Sequence, residues 1–291
     1  MDQVIANVIV AAAAYLLVGL GFSLVYTTTR FFHLAHGIVV TLGAYGAFAL
    51  RVWTGLPLWA SLLGGVIASG LAGVGMELVV YRPLRKRGGA SAVLLLVSLG
   101  LYASIQAAIT LVFGAGTQTF RAGEVPEALA VLGTSVTGPQ IALVSISAAC
   151  SVAAWLALRC TDLGKMIRAV ASNPDLAYAC GIDSGHIALV VFWWSSILAG
   201  LAGVLLAYDS DLNPMMGFRP LMLAAVAVIV GGIGSIPGIA LGAVLIALAQ
   251  NLGAWWISSR WEDPIAFLIL ITFLFLRPQG FLGTLLRKTV A

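Results

Sequence analysis

Hydrophobic positions in this chain fall in long runs separated by short polar breaks. Apolar segments extend over roughly 4–26, 37–50, 58–80, 91–113, 140–158, 187–208, 220–235, 239–257 and 264–276. Most approach the ~20 residues that a helix needs to cross a ~30 Å hydrocarbon core. The second is short and starts just after a polar break, which leaves open whether it spans fully. The alternating ten-residue segments of a transmembrane β-barrel are absent. The pattern therefore predicts an all-α fold, a polytopic transmembrane helical bundle of about 8–9 membrane segments. No linker splits off a second domain, so residues 1–291 read as one transmembrane domain.

One polar island breaks the pattern. Residues 161–183, within a connecting segment of about 161–186, carry helix signals between two apolar runs. Asn173 suits an N-cap, where its side-chain oxygen can accept from first-turn amides. Pro174 fits the first helical position and Asp175 the positive end of the helix dipole. Gly181 can supply the left-handed stop. These signals predict a helix of about two turns, roughly 174–180. A helix so delimited at a membrane surface implies a partner.

Composition sharpens the class. The chain is 61% hydrophobic and 9% charged, with mean hydropathy +1.05, whereas a soluble domain carries about 25% charged residues. A soluble globule is excluded. The pI of about 9.1 would suit nucleic acid, but the distribution of the cations points to topology instead. With the 82–87 loop on the cytoplasmic side, that side holds Arg30, Arg82, Arg85, Lys86, Arg87, Arg159, Lys165, Arg168, Arg277, Arg287 and Lys288. The other side holds Arg51, Arg121, Arg219 and Arg260. By the positive-inside rule the amino terminus is then outside and the carboxyl terminus cytoplasmic. With no Lys or Arg before Arg30, the start of the chain lacks the basic region of a cleaved signal peptide.

The opposite side has a long loop at 114–139 with Arg121, Glu124, Pro126 and Glu127, where Glu127–Leu132 can form a short turn of helix. Connections at 209–219 and 258–263 add Asp209, Asp211, Arg219, Arg260, Glu262 and Asp263. This mixed charge suits either a docked soluble partner or an ordinary solvated loop. Small residues recur at four-residue spacing in Gly64/Ala68/Ala72, Gly65/Ser69/Gly73 and Ser195/Ala199/Gly203, and Gly238 with Gly242 forms a GxxxG pair. Such rows let helix backbones approach closely in lipid.

Catalytic signatures are missing. No G-x-x-x-x-G-K-[ST] cradle occurs, so no nucleotide site is expected, and no zinc-protease or nucleophile-elbow motif appears. Cys150, Cys160 and Cys180 have neither metal nor disulfide spacing. His33 and His36 stand three residues apart without a third ligand nearby, so no metal site is expected. Glu77 is the exceptional ionisable residue within a span, and it reads as paired with Arg82, one turn on. A proton- or sodium-driven carrier would need more such groups near the midplane.

Several segments carry a family resemblance. Gly21-Phe-Ser-Leu-Val-Tyr-Thr-Thr-Thr-Arg-Phe-Phe-His-Leu-Ala-His-Gly37, Leu42-Gly-Ala-Tyr45 and Tyr81-Arg-Pro-Leu-Arg85 resemble motifs of the branched-chain amino-acid ABC permeases. Val230-Gly-Gly-Ile-Gly-Ser-Ile-Pro-Gly238 and Arg277-Pro-Gln-Gly-Phe-Leu-Gly283 are similar to its later motifs. The island resembles the family's cytoplasmic coupling segment. His33 stands where the family usually has Asn, and Ile38 where an acidic or small residue is common.

The resemblance implies a permease subunit in a bacterial inner membrane, working as a homodimer or with a second related permease. Two cytoplasmic ATPase subunits would bind the ATP, and an extracytoplasmic binding protein would deliver the substrate. This chain would then be neither an enzyme nor a holder of a cofactor. The expected cargo is a branched-chain or other small neutral amino acid. Urea or short amides are the alternative, and a secondary carrier the more distant one. Coupling residues implied are Gly164, Arg168, Ala169, Asn173, Pro174, Asp175, Leu176, Tyr178, Ala179, Gly181 and Ile182. Candidate pore groups are Ser23, Tyr26, Thr27, His33, His36, Ser98 and Gln106, each equally readable as a helix–helix hydrogen-bonding residue.

Overall fold

A computed structural model describes residues 2–120, 128–131 and 133–283. It opens with α1 (Asp2–Thr29), breaks at 30–35, and continues with α2 (His36–Thr54) and α3 (Leu58–Met76). A π-helical stretch, Glu77–Tyr81, runs α3 into α4 (Arg82–Lys86), and α5 (Ser91–Phe113) follows. A hairpin of β1 (Ala128–Val131) and β2 (Thr134–Thr137) leads into α6 (Gly138–Cys160). Next come α7 (Asp162–Ser172), α8 (Pro174–Ala179), α9 (Ser184–Asp209), α10 (Phe218–Gly231), α11 (Ile236–Trp256) and α12 (Glu262–Leu276).

Seven of these stretches are long and apolar enough to cross a membrane. The segment of uncertain length, 37–50, is one of them: α2 has 19 residues. Two more apolar helices are shorter. α10 has 14 residues and α12 has 15, so α10 rises only about 21 Å, less than a hydrocarbon core.

Two expectations change. The island contains two helices, not one, because Leu163, Ile167 and Val170 give 162–172 an apolar face of its own. The helical turn expected at Glu127–Leu132 is instead strand over Ala128–Val131, where Ala128 pairs with Thr137 and Val131 with Thr134. Gly133, at φ 79°, turns the chain, and the β-branched residues of Thr134–Thr137 favour the extended state. Glu127 and Leu132 themselves lie outside the described residues, as do Arg121, Glu124, Pro126, Arg287 and Lys288.

α1 is the central helix, with α6, α9, α10 and α11 all packed on it. Beside it α2, α3 and α9 form the closest trio, and the small-residue rows are the reason. A Cβ on Gly65 would meet the Ala47 Cβ at 2.7 Å, and one on Gly43 would meet the Gly200 carbonyl oxygen at 2.7 Å. Ser69 hydroxyl donates to the Ser196 carbonyl across the α3–α9 contact at 3.0 Å. Gly238 and Gly242 likewise abut Gly231 and Ala227 of α10. With no hydrophobic drive between helices in lipid, contact at backbone distance supplies the dispersion energy.

The bundle has two distinct ends. At one, the hairpin joins the helix ends: Thr137 hydroxyl donates to Asp209 at 2.7 Å, and Arg219 holds both Glu262 and Asp263. The island lies at the other. A substitution at a close approach should be felt sharply. Gly65→Leu is expected to lose about 1–3 kcal/mol or fail to accumulate through overpacking, whereas Gly75→Leu, with nothing within 4 Å of its added Cβ, should keep the parent's melting temperature. Fluorescence-detected thermal unfolding of the detergent-solubilised proteins checks the pair.

Candidate functional site

The island is built from interlocking caps. Thr161 starts α7 by accepting from the Gly164 amide at 3.0 Å. The Lys165 ammonium, 2.9 Å from Asp162, holds that exposed carboxyl below the usual carboxylate range by hydrogen bonding and charge. α7 buries Gly164, Ile167 and Val170, and Gly164 rests directly on the backbone of Ala157 and Leu158. Asn173 then serves two helices. Its amide closes α7 on the Ala169 carbonyl at 3.0 Å, and its side chain accepts from Asp175 and Leu176, both at 3.1 Å.

α8 stops where the sequence places the stop. Gly181 sits at φ 84°, where a β-branched residue is strained. Ile182 amide donates to the Ala177 carbonyl at 2.9 Å. Within α8, Ala177 is anchored at 4% exposure, while Leu176 and Tyr178 remain 63% and 73% exposed. Pro174, Asp175 and Ala179 are exposed as well, and Ala169 and Ile182 are half-buried. A short rigid helix thus projects two large apolar side chains away from the bundle.

A residue that sequence reading treated only as a topology charge ties this island to the core. Arg30, alone among the described non-glycine residues in having a positive φ (59°), ends α1 and donates from its guanidinium to the Ala171 carbonyl at the end of α7. An isolated arginine directly after Thr27-Thr-Thr29 at a helix end was the available signal. Below this tie lies a cavity of about 410 Å³. Its floor is one face of α1 (Leu20, Ser23, Leu24, Thr27), and Ala154 and Leu158 of α6 line it as well. Arg30 and Arg168 line it too.

The seven candidate pore groups separate. Ser23 and Thr27 line that cavity, but both are engaged with backbone: Ser23 accepts from the Gly234 amide at 3.2 Å, and Thr27 donates to the Ser23 carbonyl at 2.8 Å. His33 and Ser98 form a second group, fully buried. Ser98 Oγ accepts from the Ala35 amide at 2.7 Å, and His33 Nδ1 lies 3.2 Å from the Tyr81 hydroxyl and 3.4 Å from Ser98. Phe192 packs edge-on to the His33 ring. His36 stands next to this group, with ring centroids 5.9 Å apart, and its Nε2 lies 3.3 Å from the Val18 carbonyl. The His36 ring fits against α1 because Gly21 has no side chain; a Cβ there would meet it at 2.9 Å. Tyr26 stacks on Phe22 instead, and Gln106 is half-buried on α5. Among the described residues, no three His, Cys, Asp or Glu gather to hold a metal.

Glu77 does not pair with Arg82. Fully buried, it pairs with Arg85. The π-helical stretch shifts the following residues around the axis, so Arg82 lies near Gly185 of α9 and Arg85 reaches back to the carboxylate.

These motifs have relatives. Residues 4–274 match the family described as branched-chain amino acid transport system / permease component. This chain belongs to that family. The permease is 30% identical to the high-affinity branched-chain amino acid transport system permease protein BraD of Pseudomonas aeruginosa, over 97% of this chain and 95% of the relative. It is 28% identical to LivH of Escherichia coli, with the same coverages. Among solved structures, the fold resembles a chain of PsaBC from Streptococcus pneumoniae in complex with Fab. That match has a TM-score of 0.51 and 14% identity, over 94% of this permease and 91% of that chain.

The Glu77–Arg85 pair makes a measurable prediction. Arg85→Gln leaves a buried carboxylate uncompensated and should cost about 3 kcal/mol. Adding Glu77→Gln should recover much of that loss, and a double-mutant cycle on thermal stability reads the coupling directly.

Proposed function

We propose that this permease is the membrane-spanning subunit of a binding-protein-dependent ABC importer in a bacterial inner membrane. In this reading it moves branched-chain or other small neutral amino acids, and two separate cytoplasmic ATPase subunits power it. The observation that carries this is α8: capped at both ends, anchored through Ala177, and exposing Leu176 and Tyr178. Exposed large apolar side chains on a rigid two-turn element suit a groove on a partner, in the helix-in-groove manner. The island lies at the end with the excess of Lys and Arg, which favours the cytoplasmic side for it.

Coupling then follows from rigidity. Closure of the ATPase pair would push α8, α8 would move α7 through Asn173, and Arg30 would carry the movement into central α1. At the opposite end, the hairpin and the Arg219–Glu262–Asp263 cluster offer a polar surface for a delivery protein. The names of the relatives favour amino acids over urea or short amides. The partner permease is a second copy or a related subunit.

Two experiments test this reading. In a cysteine-free background, Thr117→Cys should react with an impermeant maleimide in intact cells. The native Cys160 and Cys180, each restored singly, should react only after permeabilisation; the reverse pattern would refute the orientation. For coupling, Gly181→Val and the pair Leu176→Glu/Tyr178→Glu should leave the protein in the membrane and the binding protein docking. Binding-protein-stimulated ATP hydrolysis and uptake should each fall more than about tenfold, a loss of at least ~1.4 kcal/mol of coupling. Normal uptake in both would reduce the island to a connecting loop.

A further inference from the structure

The cavity beside α1 has a chemistry that transport of a zwitterion does not explain. α6 and α11 both pack on α1, and the cavity lies along α1 with residues of both in its lining. Its lining is mostly aliphatic, including Leu24, Leu158, Ile167 and Ile239. Of the hydroxyls in the lining, Ser23 accepts from Gly234 and Thr27 donates to its own helix, while Ser172 lies with Arg168 on α7 at the island end. Charge enters through Arg30 and Arg168, both at the island end, where a helical bundle meets the headgroup layer. Among the described residues no carboxylate lines the cavity, and no ion pair engages Arg168. An amino-acid ammonium would therefore find no counter-charge there, while an anion joined to an apolar chain finds both its parts matched.

We propose that this cavity is a binding site for an anionic phospholipid, with one acyl chain along α1 and the phosphate held by Arg168 and Arg30. Arginine suits this role because its planar fork presents paired donors to phosphate oxygens. Basic pockets between membrane helices at headgroup level commonly take acidic lipids. Arg168 and Ile167 belong to α7, so the bound lipid would brace the island against α1 and α6. The inference stands apart from the transport reading, since it requires only a membrane.

The test uses the native complex, captured through a tag on this chain, in phosphatidylcholine nanodiscs. These contain phosphatidylglycerol with a photoreactive diazirine on one acyl chain. Cross-linked peptides should map to α1, α6 or the start of α11 around Leu24, Leu158 and Ile239. A phosphatidylcholine probe of the same chain should label these peptides less. Arg168→Glu should reduce phosphatidylglycerol labelling at least about fivefold, the weight of one basic side chain against an anionic surface. Ala154→Trp, which fills the cavity, should abolish it. Should Ala154→Trp fail to accumulate, the wild-type map and Arg168→Glu decide the matter. Equal labelling by the two probes, labelling unchanged in Arg168→Glu, or cross-links only elsewhere would overturn the proposal. Displacement of the probe by inorganic phosphate would assign the site to a soluble anion and overturn it equally.

Discussion

Backbone amides have no water to turn to inside a hydrocarbon layer, and each one freed by a helix break needs a partner within the protein. This permease breaks its helices repeatedly, and its small hydroxyl side chains answer the breaks. Between α1 and α2 the Ala35 amide donates to Ser98. Before α10 the Gly217 amide donates to Thr41 at 3.2 Å. After α10 the Gly234 amide donates to Ser23. The shortness of α10 is made good by backbone pairing: Phe281 donates to the Val230 carbonyl at 2.9 Å and Leu282 to Gly231 at 3.0 Å. Two glycine-rich motifs some fifty residues apart are thus one structure, the later one closing the end of a helix too short to span.

That use of hydroxyls changes how polar residues in these spans are read. A serine in an apolar helix invites the idea of a permeation path, yet Ser23 and Ser98 hold the backbone at breaks. His33 adjoins this scheme through Ser98, packed against Tyr81 and Phe192 with its Nδ1 within reach of the Tyr81 and Ser98 hydroxyls. Removing the Ser98 hydroxyl would leave the buried Ala35 amide unpaired, a cost of about 1–3 kcal/mol.

The island shows the complementary arrangement. Its two helices are fixed at every end by caps and a left-handed glycine, and joined to α1 by Arg30 and to α6 by Gly164 resting on Leu158. Its packing reaches α6, α1 and α9 as well. The cavity is bounded by residues of these same elements, α1, α6 and α7.

Local signals were legible in the sequence. Uninterrupted apolar runs marked the spans, because a lipid-facing helix needs length and little else. Asn173, Pro174 and Gly181 marked the bounds of α8, because caps act within a turn of the residues that carry them. The four-residue rows marked close contacts, and Gly65, Ser69 and Gly203 indeed face neighbouring backbones. What the sequence could not assign was partnership across distance. Arg30 with Ala171, Glu77 with Arg85 across a π-helical stretch, the hairpin in place of a helical turn, and the cavity between α1, α6, α7 and α11 all depend on how helices pack. Hydrophobic runs fix where a helix lies in a membrane but leave its rotation and its neighbours free; only side-chain fit between whole helices determines those.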